Sequence, residues 1–155
     1  MAKWETKLWS NDRFTELADG LIDIHGARII FTGGAEELEI NDPIISDMRG
    51  RALNLAGKTT LRQLAALYEK ADLVISTDTG PMQLAAAVAT PVVALFGPTV
   101  VWRTGPSGPG HRVIRTGVGC SPCFKRRCPV HTQECMTVIA VERVMGAVSK
   151  AVEFK

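Results

Sequence analysis

The order of elements in this sequence predicts an α/β fold, an open, parallel, doubly wound sheet with helices on both faces. Three observations carry the prediction. Helical and strand-like segments alternate along the 155 residues. The strand-like segments are short, continuous apolar runs and not polar–apolar alternations, as expected when helices cover both faces of a sheet. The four turns expected at the carboxyl ends of the strands, 32–36, 56–60, 77–81 and 96–99, all contain glycine. Right-handed crossovers would wind such a chain into one sheet. Ligands of such sheets bind outside the carboxyl ends of the strands.

Each element follows from local pattern. Residues 10–25 read as an amphipathic helix, because Phe14, Leu17, Ala18, Leu21 and Ile22 form one apolar stripe. Ser10 is a plausible N-cap, Trp9 and Phe14 have hydrophobic-staple spacing, and Gly26 fits the position just past the helix end. Residues 27–32 are a β-branched and aromatic strand closed by Gly33-Gly34. Residues 35–49 carry a weaker helical pattern interrupted by Pro43, and 52–56 read as a strand. Residues 60–70 form a helix with Leu61, Leu64, Ala65 and Tyr68 on one face, and Thr60 and Gln63 have capping-box spacing. A strand at 73–76, a helix at 81–89, a strand at 91–96 and a strand at 112–115 follow. Residues 137–152 close the chain as a helix, with Val138, Val141, Met145, Val148 and Val152 in register.

Composition bounds the function classes. The length allows one domain with a substantial core and excludes two large ones. Hydrophobic residues are 46% and charged residues 22%, ordinary for a globular protein. A net charge of +2 gives no reason to expect nucleic acid. No apolar run reaches membrane-span length and the first residues do not read as a signal peptide, so a cytoplasmic location is expected by default. There is no internal repeat and no low-complexity tract. No Walker motif, G-x-G-x-x-G, D-x-D or Ser-His-Asp order occurs, and the three histidines share no ligand spacing.

The strongest candidate site is the 72–87 segment. An apolar run ends in Ser-Thr-Asp78, turns through Thr79-Gly80, and enters an alanine-rich helix with Pro81 near its start and Met82-Gln83 following. Such a strand–turn–helix junction aims backbone N–H groups and the positive end of a helix dipole at one point, where an anion can sit. An ordinary capped turn would give the same residues. In the second turn, Glu36 either accepts ribose hydroxyls or simply sits at a helix start, where the dipole favours acids. Lys7, just before the first helix, reads on its own as solvated surface.

Four cysteines, Cys120, Cys123, Cys128 and Cys135, are spaced C-x2-C-x4-C-x6-C in a loop at 117–136. The first pair has metal-knuckle spacing, so four thiolates closing a zinc site is one reading. Free thiols, or disulfides with three possible pairings, are the others. Lys125-Arg126-Arg127 lie inside this loop and read as a solvated charge run.

At this point the motifs resemble a known family. Lys7-Leu-Trp9 with Arg13-Phe14, Phe31-Thr-Gly-Gly34 with Glu36, Asn54-Leu-Ala-Gly-Lys58, Asp78-Thr-Gly-Pro-Met82, the 91–99 run and the cysteine loop ending in Cys135-Met136 are similar to the C-terminal half of the ADP-heptose:lipopolysaccharide heptosyltransferases, glycosyltransferase family nine. The resemblance covers nearly the whole chain. It implies a Rossmann-like fold, one half of a two-domain GT-B glycosyltransferase, with residues 1–155 as a single nucleotide-sugar donor domain. It also implies that the N-terminal domain, which binds the lipid-linked acceptor and supplies the base, is absent, so that the fragment alone is inactive and holds no catalytic residue. By the same resemblance Asp78, Thr79 and Gly80 hold the diphosphate and sugar of an ADP-heptose-class donor, and Lys7 pairs with phosphate. Pro81, Met82 and Gln83 belong to the same substrate-binding turn, Glu36 meets the ribose, and Lys58 and Thr59 meet the adenine. No cofactor is required, and the full-length enzyme is expected in the cytoplasm or at the inner membrane. The family usually has His where this chain has Gln83, which donates a hydrogen bond but carries no charge. Two other readings stand beside this one: a metal- or thiol-bearing interaction module, and the nucleotide half of another GT-B enzyme such as a sugar-nucleotide epimerase.

Overall fold

The computed structural model describes residues 4–152. A 3-10 turn at Glu5–Lys7 leads into α1 (Asn11–His25) and β1 (Ile29–Phe31). A second 3-10 turn, Ala35–Glu37, precedes α2 (Leu38–Asp47), β2 (Ala52–Asn54), α3 (Leu61–Lys70) and β3 (Val74–Thr77). Then come α4 (Gly80–Ala87), β4 (Val92–Phe96), α5 (Val101–Thr104), β5 (Arg112–Arg115), α6 (Glu134–Thr137) and α7 (Val141–Val152).

The local signals explain most boundaries. Trp9 packs edge-on against Phe14 with ring centroids 5.0 Å apart, the expected staple at the start of α1. Gly26 ends α1 in the left-handed region at φ 61°, its N–H donating to the Ile22 carbonyl. Thr60 and Gln63 exchange capping hydrogen bonds, 2.9 Å from the Thr60 N–H to Gln63 Oε1 and 3.3 Å from the Gln63 N–H to Thr60 Oγ1. Ser10 has the extended backbone of an N-cap, but its side chain makes no capping bond.

Three expectations are corrected and one element is added. Pro43 lies inside an unbroken α2; only the first turn of that segment, Ala35–Glu37, is tighter. The expected closing helix at 137–152 is two helices. The buried Ile139 separates them, because its carbonyl leaves the helical ladder to accept the Trp9 indole N–H at 3.0 Å. The short α5 carried no sequence signal. The expected single sheet is two parallel sheets, β1-β2 and β3-β4-β5. A cavity of about 1400 Å³ separates β1 from β3.

Packing around β4 is three-layered, and strand alternation shows why. Val93 and Leu95 face α1 and α7, joining Trp9, Leu17, Leu21, Val144 and Val148 in one core. Val92, Ala94 and Phe96 face the other way, with Tyr68 of α3 and Met82 and Ala85 of α4. Every residue of β4 is buried, as the continuous apolar run required.

Candidate functional site

The strand pairs of each sheet are parallel, so the turns after β1 and β2 share the carboxyl edge of one sheet and those after β3 and β4 that of the other, with Thr32, Thr77 and Thr79 lining one cleft. On one side of that cleft the turns after β1 and β2 are sealed together. The Gly57 N–H donates to the Gly33 carbonyl at 2.9 Å. Gly57 has φ +67°, and a Cβ there would stand 2.9 Å from the Ala35 Cα, so only glycine permits this approach. Glu36 is exposed on this rim, whereas the neighbouring Glu37 is buried and accepts the Gly34 N–H at 2.8 Å. Lys58 is exposed, its ammonium donating to the Asn54 carbonyl at 2.9 Å, and Thr59 beside it is half-buried. Glu36, Lys58 and Thr59 therefore flank one pair of touching turns.

On the other side, Asp78 is buried at 6% exposure immediately after β3. Three donors converge on its Oδ2: Lys7 Nζ at 2.7 Å, Thr99 Oγ1 at 2.6 Å and Thr104 Oγ1 at 3.1 Å. Lys7 also donates to the Asp78 carbonyl at 3.0 Å and lies 4.7 Å from the Trp4 ring centroid. The Asp78 carboxylate is the internal anchor of a buried ion pair. Lys7 is not the solvated surface residue expected from its sequence position alone: it pairs with Asp78, and Trp4 lies against it. Thr99 and Thr104, the other partners of Asp78, had no assigned role. Thr99 stands in a recognisable motif, but Thr104 reaches Asp78 only through the α5 turn, which nothing in the local sequence announces.

The open part of the bend is Thr79-Gly80. Thr79 is the extended N-cap residue of α4, and its hydroxyl is 3.0 Å from Ser76 Oγ. Gly80 is exposed, and nothing lies within 4 Å of where its Cβ would be. Pro81 at the first turn has no N–H to leave unpaired. The first-turn amides of α4 have no partner within the helix and carry its positive dipole end. Met82, by contrast, is fully buried in the core. Gln83 staples α4 to the end of α5, its Nε2 donating to the carbonyls of Thr104 at 2.7 Å and Gly105 at 3.3 Å.

The cleft between the two groups of turns is lined at its mouth by Thr32, Thr77, Thr79 and Pro81. Thr32 Oγ1 and Tyr68 Oη are 2.8 Å apart behind it. Burial pushes the Tyr68 phenol up, opposed by that hydrogen bond.

The cysteine loop braces this edge. Thr6 Oγ1 donates to the Lys125 carbonyl at 2.6 Å, Ser121 Oγ to the Gly97 carbonyl at 2.6 Å, and the Phe124 N–H to the Pro98 carbonyl at 2.9 Å. The loop thus holds the turn that presents Lys7. All four cysteines are free thiols. Among the described residues no three His, Cys, Asp or Glu side chains are grouped to hold a metal ion. Cys128 accepts backbone N–H groups, led by that of Gln133 and joined by those of 130–132, while Cys135 is turned into the core. Those N–H donors hold the Cys128 thiol below its ordinary value. Burial first, then the nearby thiols of Cys123, Cys120 and Cys128, push Cys135 up. Among the described residues no helix is long and apolar enough to cross a membrane.

The sequence profile of glycosyltransferase family 9 (heptosyltransferase) matches residues 1–133. The chain belongs to that family. It is 30% identical over 142 residues to lipooligosaccharide heptosyltransferase 2 of Campylobacter jejuni serotype O:2, covering 90% of this chain and 44% of that protein. It is 40% identical over 102 residues to lipopolysaccharide heptosyltransferase 3 of Escherichia coli K12, covering 63% of this chain and 29% of that one. The structure of the E. coli ADP-heptose lipopolysaccharide heptosyltransferase II superposes with a TM-score of 0.86 at 27% identity, over 99% of this chain and 45% of that one. This family 9 chain spans about half the length, 44% and 46%, of two curated relatives, both lipooligosaccharide heptosyltransferase 2 of Campylobacter jejuni.

Proposed function

We propose that this domain is the donor-binding half of a family 9 glycosyltransferase that transfers heptose, or a related sugar, from ADP-heptose to the lipopolysaccharide core. The observation that carries the reading is the open Thr79-Gly80 bend at the N-terminus of α4, which lines one cleft together with Thr32 of the turn that leads to Glu36. The Thr79-Gly80 bend takes the diphosphate, through first-turn amides and the helix dipole. Glu36 takes the ribose hydroxyls, and the Lys58–Thr59 turn takes the base. Family membership and the likeness to an ADP-heptose enzyme support this division.

In the transfer the bond between the anomeric carbon and the diphosphate oxygen breaks, and a new bond forms to an acceptor hydroxyl oxygen. The electron pair leaves with the nucleoside diphosphate, whose growing charge the α4 amides stabilise. In this reading Lys7 acts as a positioning residue: paired with Asp78, it ties the N-terminal turn to the end of β3. The acceptor and the base that receives its proton are assigned to polypeptide outside residues 1–155. Donor departure then needs no metal.

Calorimetry with ADP, an ADP-sugar and UDP tests the reading. ADP is expected to bind, UDP to bind at least tenfold more weakly, and the chain alone to transfer nothing. Gly80→Leu is the decisive variant, because its side chain enters open space at the bend. It should fold normally and lose at least tenfold in ADP affinity. Unchanged ADP affinity in Gly80→Leu would remove the diphosphate from this bend.

A further inference from the structure

We propose that the carboxyl edge of the β3-β4-β5 sheet carries a lipid-docking face, built from the tip of the cysteine loop and from α5, that seats the domain on a bilayer surface bearing anionic headgroups. The inference rests on surface chemistry and is independent of the donor reading.

Charge is spread unevenly along the chain. Of its 18 Lys and Arg and 16 Asp and Glu, the stretch from Thr79 to Gln133 holds six cations and no acid, which leaves 12 cations against 16 acids elsewhere. The near-neutral total therefore conceals a basic segment in an otherwise acidic chain. Half of the segment's cations are Lys125, Arg126 and Arg127 at the tip of the cysteine loop, all exposed. Nearby acids do not neutralise them. Asp78 is buried against Lys7, and Glu5 meets the loop at its base, where it accepts the Gln133 side-chain amide at 2.8 Å. A cluster of cations held at a surface attracts anionic headgroups.

Apolar side chains stand among these cations, and the backbone fixes them there. The Phe124 N–H donates to the Pro98 carbonyl just past β4, and Thr6 holds the carbonyls of Lys125 and Arg126, so the tip is pinned to the domain. Phe124 sits in the left-handed region at φ 54°, unusual for a bulky residue, yet its ring is 44% exposed and not in the core. Val130 is 51% exposed on the same loop. Beyond the turn that Phe124 grips lies α5. There Val101 packs on the core and Thr104 reaches Asp78, which leaves Trp102 and Arg103 outward. Trp102, at 86%, is the most exposed large apolar side chain among the described residues. Aromatic and aliphatic tips beside Lys and Arg are the mixture that partitions into a bilayer interface. Shape favours lipid over a protein partner. None of Trp102, Phe124 and Val130 lines the cavity between β1 and β3 or the smaller one between β5 and α7. They protrude singly, and a soft interface accepts such protrusions without a matching surface.

Sedimentation of the 155-residue chain with nucleotide-free vesicles tests the proposal. Vesicles of phosphatidylcholine mixed with phosphatidylglycerol should bind it at least tenfold more tightly than phosphatidylcholine alone, and added salt should shrink the difference. Lys125→Glu with Arg127→Glu should weaken binding at least tenfold. Arg62→Glu with Lys70→Glu, the same change of net charge on the exposed face of α3, should weaken it far less. Each variant is assayed well below its own melting transition, so that lost binding is not lost folding. Tryptophan emission should shift to the blue on the anionic vesicles, and Trp102→Phe should abolish the shift. Equal binding to the two kinds of vesicle overturns the proposal. An equal loss in the loop pair and the α3 pair overturns it too, since net charge would then explain the effect, as does an emission shift that survives Trp102→Phe. Capture of the chain by a DNA duplex in preference to anionic vesicles overturns it in favour of nucleic acid.

Discussion

Replacing Asp78 with alanine should test the anchor of the carboxyl edge most directly. The substitution leaves Lys7, only 14% exposed in its side chain, without its counter-ion, and strips the acceptor from Thr99 and Thr104. Breaking a buried pair by removing one partner costs about 3–5 kcal/mol. Whole domains of this kind are stable by about 5–15 kcal/mol, so the loss is a large fraction of the total. With a urea dependence of about 2 kcal/mol per molar, the unfolding midpoint should fall by roughly 2 M. Trp9, buried at 2% exposure, makes intrinsic fluorescence a suitable probe. The pairing argument also predicts rescue. Asp78→Ala combined with Lys7→Met should recover about 1–3 kcal/mol relative to Asp78→Ala alone, because the stranded ammonium is gone. A loss below about 1 kcal/mol for Asp78→Ala would refute the reasoning, since that is the scale of an exposed pair. Strict additivity of the two substitutions would refute it too.

Gly57→Ala should destabilise the protein and weaken ADP binding, because it combines a left-handed backbone with a backbone contact at 2.9 Å against Ala35. The left-handed conformation alone costs about 1–2 kcal/mol, readable in a thermal melt. Asp19 should support stability in a pH-dependent way. Burial would raise its carboxyl, but the N–H groups of Gly50 and Arg49 and the Arg49 guanidinium outweigh it and hold it below 3.8. Its contribution is therefore full above pH 3.8 and lost as pH falls through the lower folded value. Asp19→Asn should be clearly destabilised at pH 7, with the difference shrinking under acid. Among the thiols, Cys128 should alkylate faster than Cys135 at neutral pH, as mass spectrometry of peptides would show, because backbone N–H groups favour its thiolate while burial disfavours that of Cys135.

Local chemistry made much of this protein legible from residues alone. The Trp9–Phe14 staple, the Gly26 stop and the Thr60–Gln63 box act within one turn of chain, so their patterns survive in the sequence and appear in the structure. Continuous apolar runs marked the strands; the two-sided burial they imply holds for β4, whereas Ile30 in β1 and Leu53 in β2 are exposed. The Thr77–Pro81 bend could be read as strand, turn and helix start for the same reason. Tertiary structure alone decided the rest. Asp78 became a buried anchor through Lys7, 71 residues before it, and through Thr99 and Thr104, 21 and 26 residues after it. Met82 became core and Gln83 a staple to α5 for equally remote reasons. The division between β1 and β3 is the plainest case: whether two apolar runs pair side by side or fall in separate sheets depends on contacts between distant parts of the chain, and each run looks the same in either arrangement.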